Sequence, residues 1–427
     1  MQKRGNRAPS RRAVLKSTTG LTLSGAVAFL GGAARAVAGD GLTPVKLPPL
    51  LASSERESDK VPTPLPPEQR VGFAIVGLGH LALQQILPAF SESKLCRPVA
   101  LVSGDGAKAA NVAAQYGIAP KHVYDYQSYD RLAQDAAVSA VYVVLPNGLH
   151  AEYSIRAARA GKHVLCEKPM AISVNECERM IDASRAAHKK LMVAYRMQYE
   201  PYNREAIRMA RAGELGKLKA FMASNGQAQG DPRQWRLRKA LAGGGSLPDV
   251  GIYCLNAARY LSGEEPTEVS ALVTSTPHDP RFVEVEEQVD FTLRFPSGFV
   301  ASCTSSYGYH DSKCYRLMGT QGWLELDPAF PYAGQAMRIA RKHAGSSGED
   351  VETRKLEAKN QFALEMDHFA ACIRDDKVPL TGGEEGLQDM RVIAAIYDSA
   401  RRGHVVKLPR IEKVDALRGP ALVDAAG

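Results

Sequence analysis

The sequence predicts an α/β protein with an N-terminal, doubly wound parallel sheet and a C-terminal α+β domain built on a large, mostly antiparallel open sheet. Two patterns favour this class. Between residues 71 and 196, short apolar runs alternate with segments of helix length, which is typical of parallel strands covered by helices on both faces. After about residue 215 the pattern changes, and apolar and polar residues alternate along residues 289–295, as expected for an antiparallel strand with one covered face.

The same patterns predict the order of the elements. We expect buried strands at residues 71–79, 99–103, 140–146, 163–167 and 190–196, a strand-rich region at residues 282–326, and closing helices at residues 361–374 and 384–402. The predicted domains are therefore a first domain at residues 71–196, a second domain for substrate binding and oligomerisation at residues 197–405, and a C-terminal tail at residues 406–427.

The first 70 residues differ from the rest. Arg11 and Arg12 precede a mildly apolar stretch at residues 21–34, and Ala36-Val37-Ala38 supplies small residues for a signal peptidase, which predicts a bacterial twin-arginine signal peptide at residues 1–38. A membrane anchor is the alternative, but the run is shorter and more polar than the roughly 20 residues of a spanning helix. We expect a periplasmic protein without stable membrane insertion after signal removal. Residues 39–70 form a proline-rich arm, either a spacer or a segment that wraps a neighbouring subunit.

Charge and cysteine content exclude several classes of protein. The net charge is +8, but seven of the 54 Lys and Arg residues lie in residues 1–38, which hold no acid, and the remainder nearly balances the 46 Asp and Glu residues. Bulk charge therefore gives no support to nucleic-acid binding. The seven cysteines are odd in number and lack C-x-x-C spacing, so we predict buried free thiols and no metal site.

A glycine motif follows the first expected strand. In Gly77-Leu78-Gly79-His80-Leu81-Ala82, the first glycine permits a tight turn, the second permits close approach of a pyrophosphate, and the small Ala82 permits close helix packing. The N-terminus of the next helix supplies unpaired N–H groups. The motif therefore predicts a dinucleotide-binding Rossmann domain, with a structural glycine turn as the alternative.

The end of the second expected strand bears on which dinucleotide is bound. Ser103 can hydrogen-bond a 2′-phosphate, Gly104 leaves room for it, and Lys108 adds positive charge, which together favour NADP. An acid at this position normally binds the ribose hydroxyls of NAD, so NAD is favoured if Asp105 faces the ribose instead.

Two further motifs lie at strand ends, where a doubly wound sheet binds its ligand. The first motif, Pro146-Asn147-x-x-His150, enters a helix, and its alternative interpretation is an Asn turn with a solvent-facing His. The second, Glu167-Lys168-Pro169, ends the fourth long apolar run. The proline biases Lys168 towards extended geometry, which directs its side chain into the crevice, although a surface lysine is the alternative.

The glycine-rich segment 243–253 carries the candidate base. Ser246 and Asp249 have the spacing of a capping box, which is one explanation of the carboxylate. Asp249 and Tyr253 are four residues apart and therefore share a helix face. Oxidation of a sugar alcohol needs a base for the hydroxyl proton, and a nearby lysine ammonium favours a phenolate. We therefore expect Lys168 beside Tyr253.

Together the four motifs, Gly77-x-Gly79-x-x-Ala82, Pro146-Asn147-x-x-His150, Glu167-Lys168-Pro169 and Gly243-Gly244-Gly245-Ser246-x-x-Asp249-x-Gly251-x-Tyr253, resemble the Gfo/Idh/MocA oxidoreductase family over about residues 71–405. Most of that family has a His in place of Tyr253, and a Tyr is the pattern of its periplasmic glucose-fructose oxidoreductases. The resemblance implies that Lys168, Tyr253 and Asp249 are catalytic. It also implies an NADP that stays bound, held by Gly77, Leu78, Gly79, His80, Ala82, Ser103, Gly104, Lys108, Pro146, Asn147, His150, Glu167 and Lys168.

The implied reaction is a ping-pong hydride transfer, in which an aldose such as glucose is oxidised to a lactone and a second, fructose-like sugar is reduced to a polyol. Candidate sugar contacts are Arg196, Tyr199, Trp235 and Arg236, with Asp249 and Tyr253, although a core position for Trp235 remains open. Alternatives are an exported NAD-dependent glycosidase of the same superfamily, a simple NAD(P)-dependent sugar dehydrogenase, and a non-catalytic nucleotide-bound sensor. A homo-oligomer, dimer or tetramer, is expected because the open sheet would otherwise expose an apolar face.

Overall fold

A computed structural model of the chain describes residue 66 and residues 69–343, 345 and 348–422. The predicted signal peptide and nearly all of the proline-rich arm lie outside the described residues. The elements of the first sheet and its helices are β1 (Val71–Val76), a π-helical segment (Ala82–Ile86) that continues into α1 (Leu87–Ala89), β2 (Cys96–Val102), α2 (Gly106–Gln115), β3 (Val123–Tyr124), β4 (Ala140–Val143), α3 (His150–Arg159), β5 (His163–Glu167), α4 (Val174–Ala186) and β6 (Leu191–Ala194).

The first sheet has six parallel strands among the described residues, in the order β3-β2-β1-β4-β5-β6. This is the doubly wound topology that the sequence predicts. The direction of winding reverses between β1 and β4, and a sheet of this kind binds its ligand at the carboxyl ends of the strands beside that reversal. The glycine motif and both strand-end motifs lie at this edge.

The first sheet separates two hydrophobic cores, because successive side chains of a strand point to opposite faces. On one face, Ala74 and Val76 of β1 pack with residues of α3 and α4. On the other face, Phe73 packs with Phe90 and Phe369, at ring-centroid distances of 5.8 Å and 6.3 Å. Phe369 belongs to α8 (Gln361–Arg374), so a helix that the sequence assigns to the second domain covers the first sheet.

The second sheet has nine strands in the order β14-β13-β12-β11-β7-β10-β9-β8-β15 within the described part of the chain. All neighbouring strands pair antiparallel except β7 and β10, which are parallel. The bounds of its strands and of the remaining helices are α5 (Pro201–Arg211), β7 (Leu218–Gly226), α6 (Lys239–Ala242), a π-helical segment (Leu247–Gly251) that continues into α7 (Ile252–Ser262), β8 (Glu268–Thr274), β9 (Gln288–Arg294), β10 (Val300–Ser306), β11 (Ser312–Gly319), β12 (Gly322–Leu326), β13 (Met337–Lys342), β14 (Glu349–Arg354), α9 (Gly383–Arg402) and β15 (Val406–Lys407).

The predicted fold class is confirmed, with local differences. The strands β1, β4 and β6 end earlier than expected, because each is followed by a turn at the ligand edge. Sequence patterns missed β3, β7, β8, β13, β14 and β15. The strands β3 and β15 have only two residues each, and β14 (Glu349–Arg354) consists mostly of exposed polar residues, so neither length nor alternation of apolar residues distinguishes them.

Two further findings concern the cysteines and the length of the helices. All seven cysteines lie in the described part of the chain and are free, and six of them are buried, as predicted. Of the helices in the described residues, none has the length and apolar character needed to cross a membrane.

Candidate active site

A cavity of about 900 Å³ opens at the carboxyl ends of the first-sheet strands and is closed from the other side by residues of the second sheet and of the segment before α7. Most of the residues predicted from the motifs line it. These are Gly77, Leu78, Gly79, His80, Ser103, Lys108, Pro146, Asn147, Glu167, Lys168, Arg196, Trp235, Arg236, Asp249 and Tyr253. Four predicted site residues, Ala82, Gly104, His150 and Tyr199, do not line it.

The glycine turn forms one end of the cavity. Gly77 follows β1 with φ of +96°, and a Cβ atom there would lie 2.3 Å from the carbonyl oxygen of Val144, so only glycine fits. A Cβ at Gly79 would meet no atom within 4 Å. The space beside Gly79 therefore suits the close approach of a pyrophosphate. Ala82 is fully buried in the core, which fits its predicted packing role rather than a cofactor contact.

Ser103, Asp105 and Lys108 meet at the same end. Asp105 caps α2, since its Oδ1 accepts a hydrogen bond of 2.9 Å from the backbone N–H of Lys108. The Ser103 hydroxyl oxygen accepts a hydrogen bond of 3.1 Å from the backbone N–H of Asp105 and keeps its own proton for donation. Gly104 lies behind this edge, where a Cβ would be 3.2 Å from the ring of Tyr126.

His150 joins two turns instead of contacting the cavity. Its Nδ1 lies 2.8 Å from the carbonyl oxygen of Pro169 and its Nε2 lies 2.8 Å from that of Leu145. The imidazole is buried, so the expectation that His150 contacts a cofactor directly is corrected. Asn147 lines the cavity with its side chain anchored, because its Nδ2 donates to the carbonyl oxygen of Ala242 at 2.9 Å.

Lys168 and Asp249 form an ion pair in the wall of the cavity. The Nζ of Lys168 donates to Asp249 Oδ1 at 3.2 Å and to the Asp249 carbonyl oxygen at 2.6 Å. The other carboxylate oxygen of Asp249 accepts from Arg236 Nε at 3.0 Å and from the Tyr307 hydroxyl at 2.7 Å. Asp249 thus receives hydrogen bonds on both carboxylate oxygens.

These contacts set the charges of the pair. Burial opposes the charge on Asp249, but Lys168, Arg236 and the hydrogen bond from Tyr307 outweigh it and hold the pKa of this carboxyl well below its usual range. Burial would likewise lower the pKa of Lys168, but its electrostatic interactions with Tyr253, Asp249 and Glu167 outweigh burial and raise it. Lys168 is therefore a cation and Asp249 an anion at neutral pH.

The capping-box interpretation of Ser246 and Asp249 is wrong. Ser246 has helical backbone angles and makes no side-chain cap, and its hydroxyl donates to the carbonyl oxygen of Ser305 at 3.2 Å. The helix begins with a π-helical segment, so Ser246 is already within the helical path. The carboxylate of Asp249 is consequently not used as a cap and instead pairs with Lys168 and Arg236 in the cavity wall.

Tyr253 shares this wall with Asp249. Its hydroxyl oxygen accepts a hydrogen bond of 3.2 Å from Arg196 Nε, while the Nζ of Lys168 lies 4.7 Å from the centroid of its ring. Lys168 is thus beside Tyr253, but over the ring face and not at the hydroxyl. The ring of Tyr253 also packs at 5.8 Å from that of Phe330.

Glu167 is the other acid in the wall. The hydroxyl of Tyr142 donates to Glu167 Oε1 at 2.8 Å and also lies 3.4 Å from Oε2 of Glu365, which belongs to α8. Burial raises the pKa of both carboxyls, that of Glu365 well above its ordinary value. Among the described residues, no group of His, Cys, Asp and Glu side chains has an arrangement that could hold a metal ion.

Tyr199 does not contact the cavity, which corrects its predicted role as a sugar contact. Several residues that line the cavity were also not predicted from the sequence. Tyr199 is 1% exposed, and its hydroxyl lies 2.9 Å from the hydroxyl of Thr381 in the core, because the turn at Arg196–Gln198 directs Arg196 and Tyr199 in different directions. Motif spacing did not identify the cavity residues Asn225, Gln227, Lys313, Phe330, Tyr332 and Phe362, or Tyr307 behind Asp249. Two of these residues have a local position that could have indicated them, since Tyr307 directly follows β10 and Phe362 lies in the first turn of the predicted helix at residues 361–374.

Comparisons with known proteins agree with this arrangement. Residues 71–195 match the family described as the Gfo/Idh/MocA oxidoreductase family with NAD-binding Rossmann fold, and residues 203–325 match the Gfo/Idh/MocA C-terminal domain. A D-xylose 1-dehydrogenase (NADP+) of Haloarcula marismortui is 35% identical over 345 residues, which are 79% of this chain and 93% of that protein. A D-xylose 1-dehydrogenase (NADP+) of Haloferax volcanii is 33% identical over 340 residues, 79% of this chain and 99% of that protein.

A solved structure is also similar over most of the chain. The aldose-aldose oxidoreductase of Caulobacter crescentus, complexed with glycerol, has a TM-score of 0.76 and 48% sequence identity, and the match covers 79% of this chain and 100% of that chain.

Proposed function

Because the chain belongs to the Gfo/Idh/MocA family of oxidoreductases, we propose that it is an NADP-dependent sugar oxidoreductase whose cofactor stays bound. It oxidises an aldose to a lactone and then reduces a second sugar to a polyol in a ping-pong reaction. The observation that carries the proposal is the meeting of Lys168, Asp249 and Tyr253 in one wall of a cavity whose far end is the glycine turn.

The residues at that far end fit a dinucleotide. The open space beside Gly79 accommodates the pyrophosphate, and Ser103 and Lys108 are available for a 2′-phosphate. Asp105 is used as a helix cap, which argues against the ribose contact typical of NAD. When bound, the nicotinamide supplies hydride transfer.

The side chains of the wall handle the proton. As hydride leaves the sugar carbon, the sugar hydroxyl gives its proton to the Tyr253 oxygen. Lys168 over the ring favours the phenolate, and Asp249 fixes the position of Lys168. In the second half-reaction Tyr253 returns the proton to the carbonyl oxygen of the second sugar, so the enzyme ends each cycle in its starting protonation state.

The identity of the second sugar is the finer part of the proposal. The resemblance of the Tyr253 motif to glucose-fructose oxidoreductases favours a ketose such as fructose, whereas the similarity to an aldose-aldose oxidoreductase favours an aldose. Both present a carbonyl for reduction, and the cavity of about 900 Å³ is large enough for a dinucleotide end and a monosaccharide together.

The decisive experiment uses the purified protein without added nucleotide. One portion of the protein is denatured, and any nucleotide that it releases is identified. Aldoses are added to a second, native portion, and reduction of the bound nicotinamide is followed by its absorbance. Fructose and a second aldose are added in turn to reoxidise it. The proposal fails if no sugar reduces the bound nucleotide, and Tyr253→Phe should abolish both half-reactions.

A dissociable dehydrogenase is the second candidate, favoured by the similarity to D-xylose 1-dehydrogenases. In that case the purified protein is empty and turns over only with added NADP. An exported glycosidase would instead hydrolyse nitrophenyl glycosides with no net redox product. A nucleotide-bound sensor would show no change in absorbance on addition of sugar.

We extend the proposal to assembly. The open face of the second sheet carries a groove of about 970 Å³, in which Met222 and Leu272 are 58% and 69% exposed. An apolar face of this size is typical of a subunit interface, so we propose a homo-oligomer, dimer or tetramer, that buries it. Sedimentation of the protein and of Leu272→Glu tests this, since the charge should dissociate the oligomer.

The periplasmic location is likewise a proposal. It rests on the sequence of residues 1–38, which lie outside the described residues. Replacement of Arg11 and Arg12 by lysine should leave the protein in the cytoplasmic fraction, and an unchanged periplasmic fraction would contradict twin-arginine export.

A further inference from the structure

Arg196 occupies a fixed position behind the candidate base. It follows β6 and is 5% exposed. Its Nη2 donates to the carbonyl oxygen of Phe330 at 2.7 Å, and its Nη1 donates to the carbonyl oxygen of Pro331 at 3.3 Å and to the side-chain oxygen of Gln361. With the bond from Nε to Tyr253, four of the five N–H donors of a guanidinium are used within the protein.

Aromatic rings hold the guanidinium plane from the sides. Its central carbon lies 4.8 Å from the centroid of the Tyr253 ring, 4.7 Å from that of Tyr332 and 5.8 Å from that of Phe362. Arginine commonly stacks on aromatic faces in this way. Arg196 is therefore held on several sides, with its Nε–H directed at the phenol oxygen.

Lys168 does not make this contact. Its ammonium donates to Asp249 twice and approaches Tyr253 only over the ring face, at 4.7 Å from the centroid. A cation over a ring interacts mainly with the π system, whereas a cation that donates to the oxygen acts on the atom that gains and loses the proton. Arg196 makes this second kind of contact, because its Nε donates directly to the Tyr253 oxygen.

We propose that Arg196 is a positioning residue for catalysis, which donates from Nε to the Tyr253 oxygen and stabilises its phenolate so that Tyr253 accepts the sugar hydroxyl proton. The inference rests on the proposed function in taking Tyr253 as the base. It replaces the expectation that Arg196 binds the sugar, since only one N–H donor remains for a ligand. Charge-assisted hydrogen bonds are shorter and stronger than neutral ones, which gives the contact its effect.

Other groups also influence the phenol and must be kept constant in a test. The titratable and charged side chains that face Tyr253 from the surrounding elements are Glu167, Lys168, Asp249, Arg236 and Tyr332. None of these five side chains hydrogen-bonds the phenol oxygen, which accepts from Arg196, so a substitution at Arg196 changes that contact without removing the others.

The test compares Arg196→Gln and Arg196→Lys with the wild-type holoenzyme. The first readout is the pH profile of the rate of nicotinamide reduction by a saturating aldose. We expect Arg196→Gln to move the acidic limb to higher pH and to lower kcat near neutral pH by about 10- to 100-fold, the effect of one hydrogen bond to a charged group. Arg196→Lys should lie between the two, because it keeps the charge but not the donor geometry.

The second readout needs no sugar. The ultraviolet absorbance of phenolate is titrated in each protein, and the same titration of a Tyr253→Phe background identifies the part that belongs to Tyr253. The Tyr253 phenolate should form at higher pH in Arg196→Gln. If the wild-type protein oxidises no sugar, the proposed function fails while this titration still tests Arg196.

A further variant tests the same contact in case the Arg196 variants do not fold. Gln361→Leu removes one anchor of the guanidinium without touching Tyr253 and should shift both readouts in the same direction by less. Arg401→Gln, on the surface of α9 with a side chain 74% exposed, is the control and should change neither. A raised KM with an unmoved acidic limb and an unmoved phenolate titration would overturn the inference and make Arg196 a sugar contact.

Discussion

The Nδ1 of His150 lies 2.8 Å from the carbonyl oxygen of Pro169. This contact links the first turn of α3 to the turn that carries Lys168, and the Nε2 of the same ring reaches the carbonyl oxygen of Leu145 at 2.8 Å. A neutral imidazole has one N–H and can donate to only one of these carbonyls. Burial lowers the pKa of His150 and outweighs the two carbonyl oxygens, which on their own would raise it.

Replacement of His150 should therefore loosen the contact between these two turns. In His150→Leu the carbonyl that receives the imidazole N–H loses its hydrogen bond, so we expect about 1–3 kcal/mol loss of unfolding free energy and a fall in kcat as the turn that carries Lys168 loses support. Chemical denaturation and the reduction half-reaction measure the two effects. His343→Leu, at an exposed site, is the control, and a stable His150→Leu with full activity would contradict the linking role.

Replacing each of two glycines in the motif by valine should have a different effect, one on cofactor binding and the other on folding. In Gly79→Val the new side chain enters open space, since a Cβ there has no neighbour within 4 Å, so the protein should fold normally but exclude the dinucleotide. In Gly77→Val the Cβ would lie 2.3 Å from the Val144 carbonyl oxygen, at φ of +96°, so folding itself should fail. Soluble yield, thermal melting and released nucleotide distinguish them. A Gly79→Val protein with a full complement of nucleotide would place the cofactor elsewhere.

Asp249→Asn tests the ion pair in the wall. Lys168 and Arg236 then lose their shared anion, and we expect kcat to fall by about 10- to 100-fold, the effect of losing a hydrogen bond to a charged group. Because the pKa of Asp249 is lowered by folding, its contribution to stability is present above the unfolded pKa of about 4 and is lost as pH falls below it.

The stability difference between wild type and Asp249→Asn should consequently be constant at neutral pH and shrink in acid. Urea denaturation between neutral pH and about pH 3 measures it. Asp182→Asn, at a carboxylate on α4 whose side chain is 75% exposed, is the control. A difference that grows in acid would show that Asp249 is protonated in the folded protein.

The sequence predicted what depends on local patterns. The glycine turn, the strand-end lysine and the shared helix face of Asp249 and Tyr253 all follow from spacing along one element, and the fold class follows from alternation of apolar residues. The sequence could not predict contacts between distant segments. Arg196 reaches Tyr253 across 57 positions and Tyr307 reaches Asp249 across 58, and no spacing rule connects such residues.

The errors have the same origin. Tyr199 lies three positions after Arg196 and was grouped with it, but the turn between them sends one side chain to the cavity and the other to Thr381 in the core. Ser246 and Asp249 have capping-box spacing, but contacts with Ser305 and Lys168 outweigh the local preference. In each case packing between elements determines the direction of a side chain that local sequence leaves open.

His368 predicts a second pH effect, on folding alone. Burial lowers its pKa to about 4, and its Nε2 accepts a hydrogen bond of 3.0 Å from the backbone N–H of Leu380. The unfolded state, with a His pKa of about 6.5, binds more protons between these two values. The contribution of neutral His368 is therefore complete above about pH 6.5 and is lost as pH falls towards 4.

The measurement is the urea stability of wild type and His368→Gln at several pH values in that window. The glutamine oxygen can accept from Leu380 and does not titrate, so the variant should lose about 2 kcal/mol less than wild type on acidification, allowing for partial exposure. His343→Gln is the exposed control. Equal pH slopes for His368→Gln and wild type would mean that His368 is not neutral in the folded state.

Cofactor choice should depend on Ser103 and Lys108 more than on Asp105. The carboxylate of Asp105 accepts at 2.9 Å from the backbone N–H of Lys108 at the N-terminus of α2, whereas the Ser103 hydroxyl keeps its proton for donation and the Lys108 ammonium, 41% exposed in its side chain, makes only a 3.9 Å ion pair with Asp105. A 2′-phosphate is present in NADP and absent from NAD, so Lys108→Ala should weaken NADP by about 10-fold, the value of one charged hydrogen bond, and leave NAD unchanged. Ser103→Asp should place a negative charge against the phosphate and favour NAD.

Dissociation constants from titration of nucleotide-stripped protein test both variants, with Lys121→Ala on the exposed turn before β3 as the control. If Asp105→Ala instead raises NADP affinity and abolishes NAD binding, Asp105 leaves its cap to face the ribose, and NAD is the native cofactor.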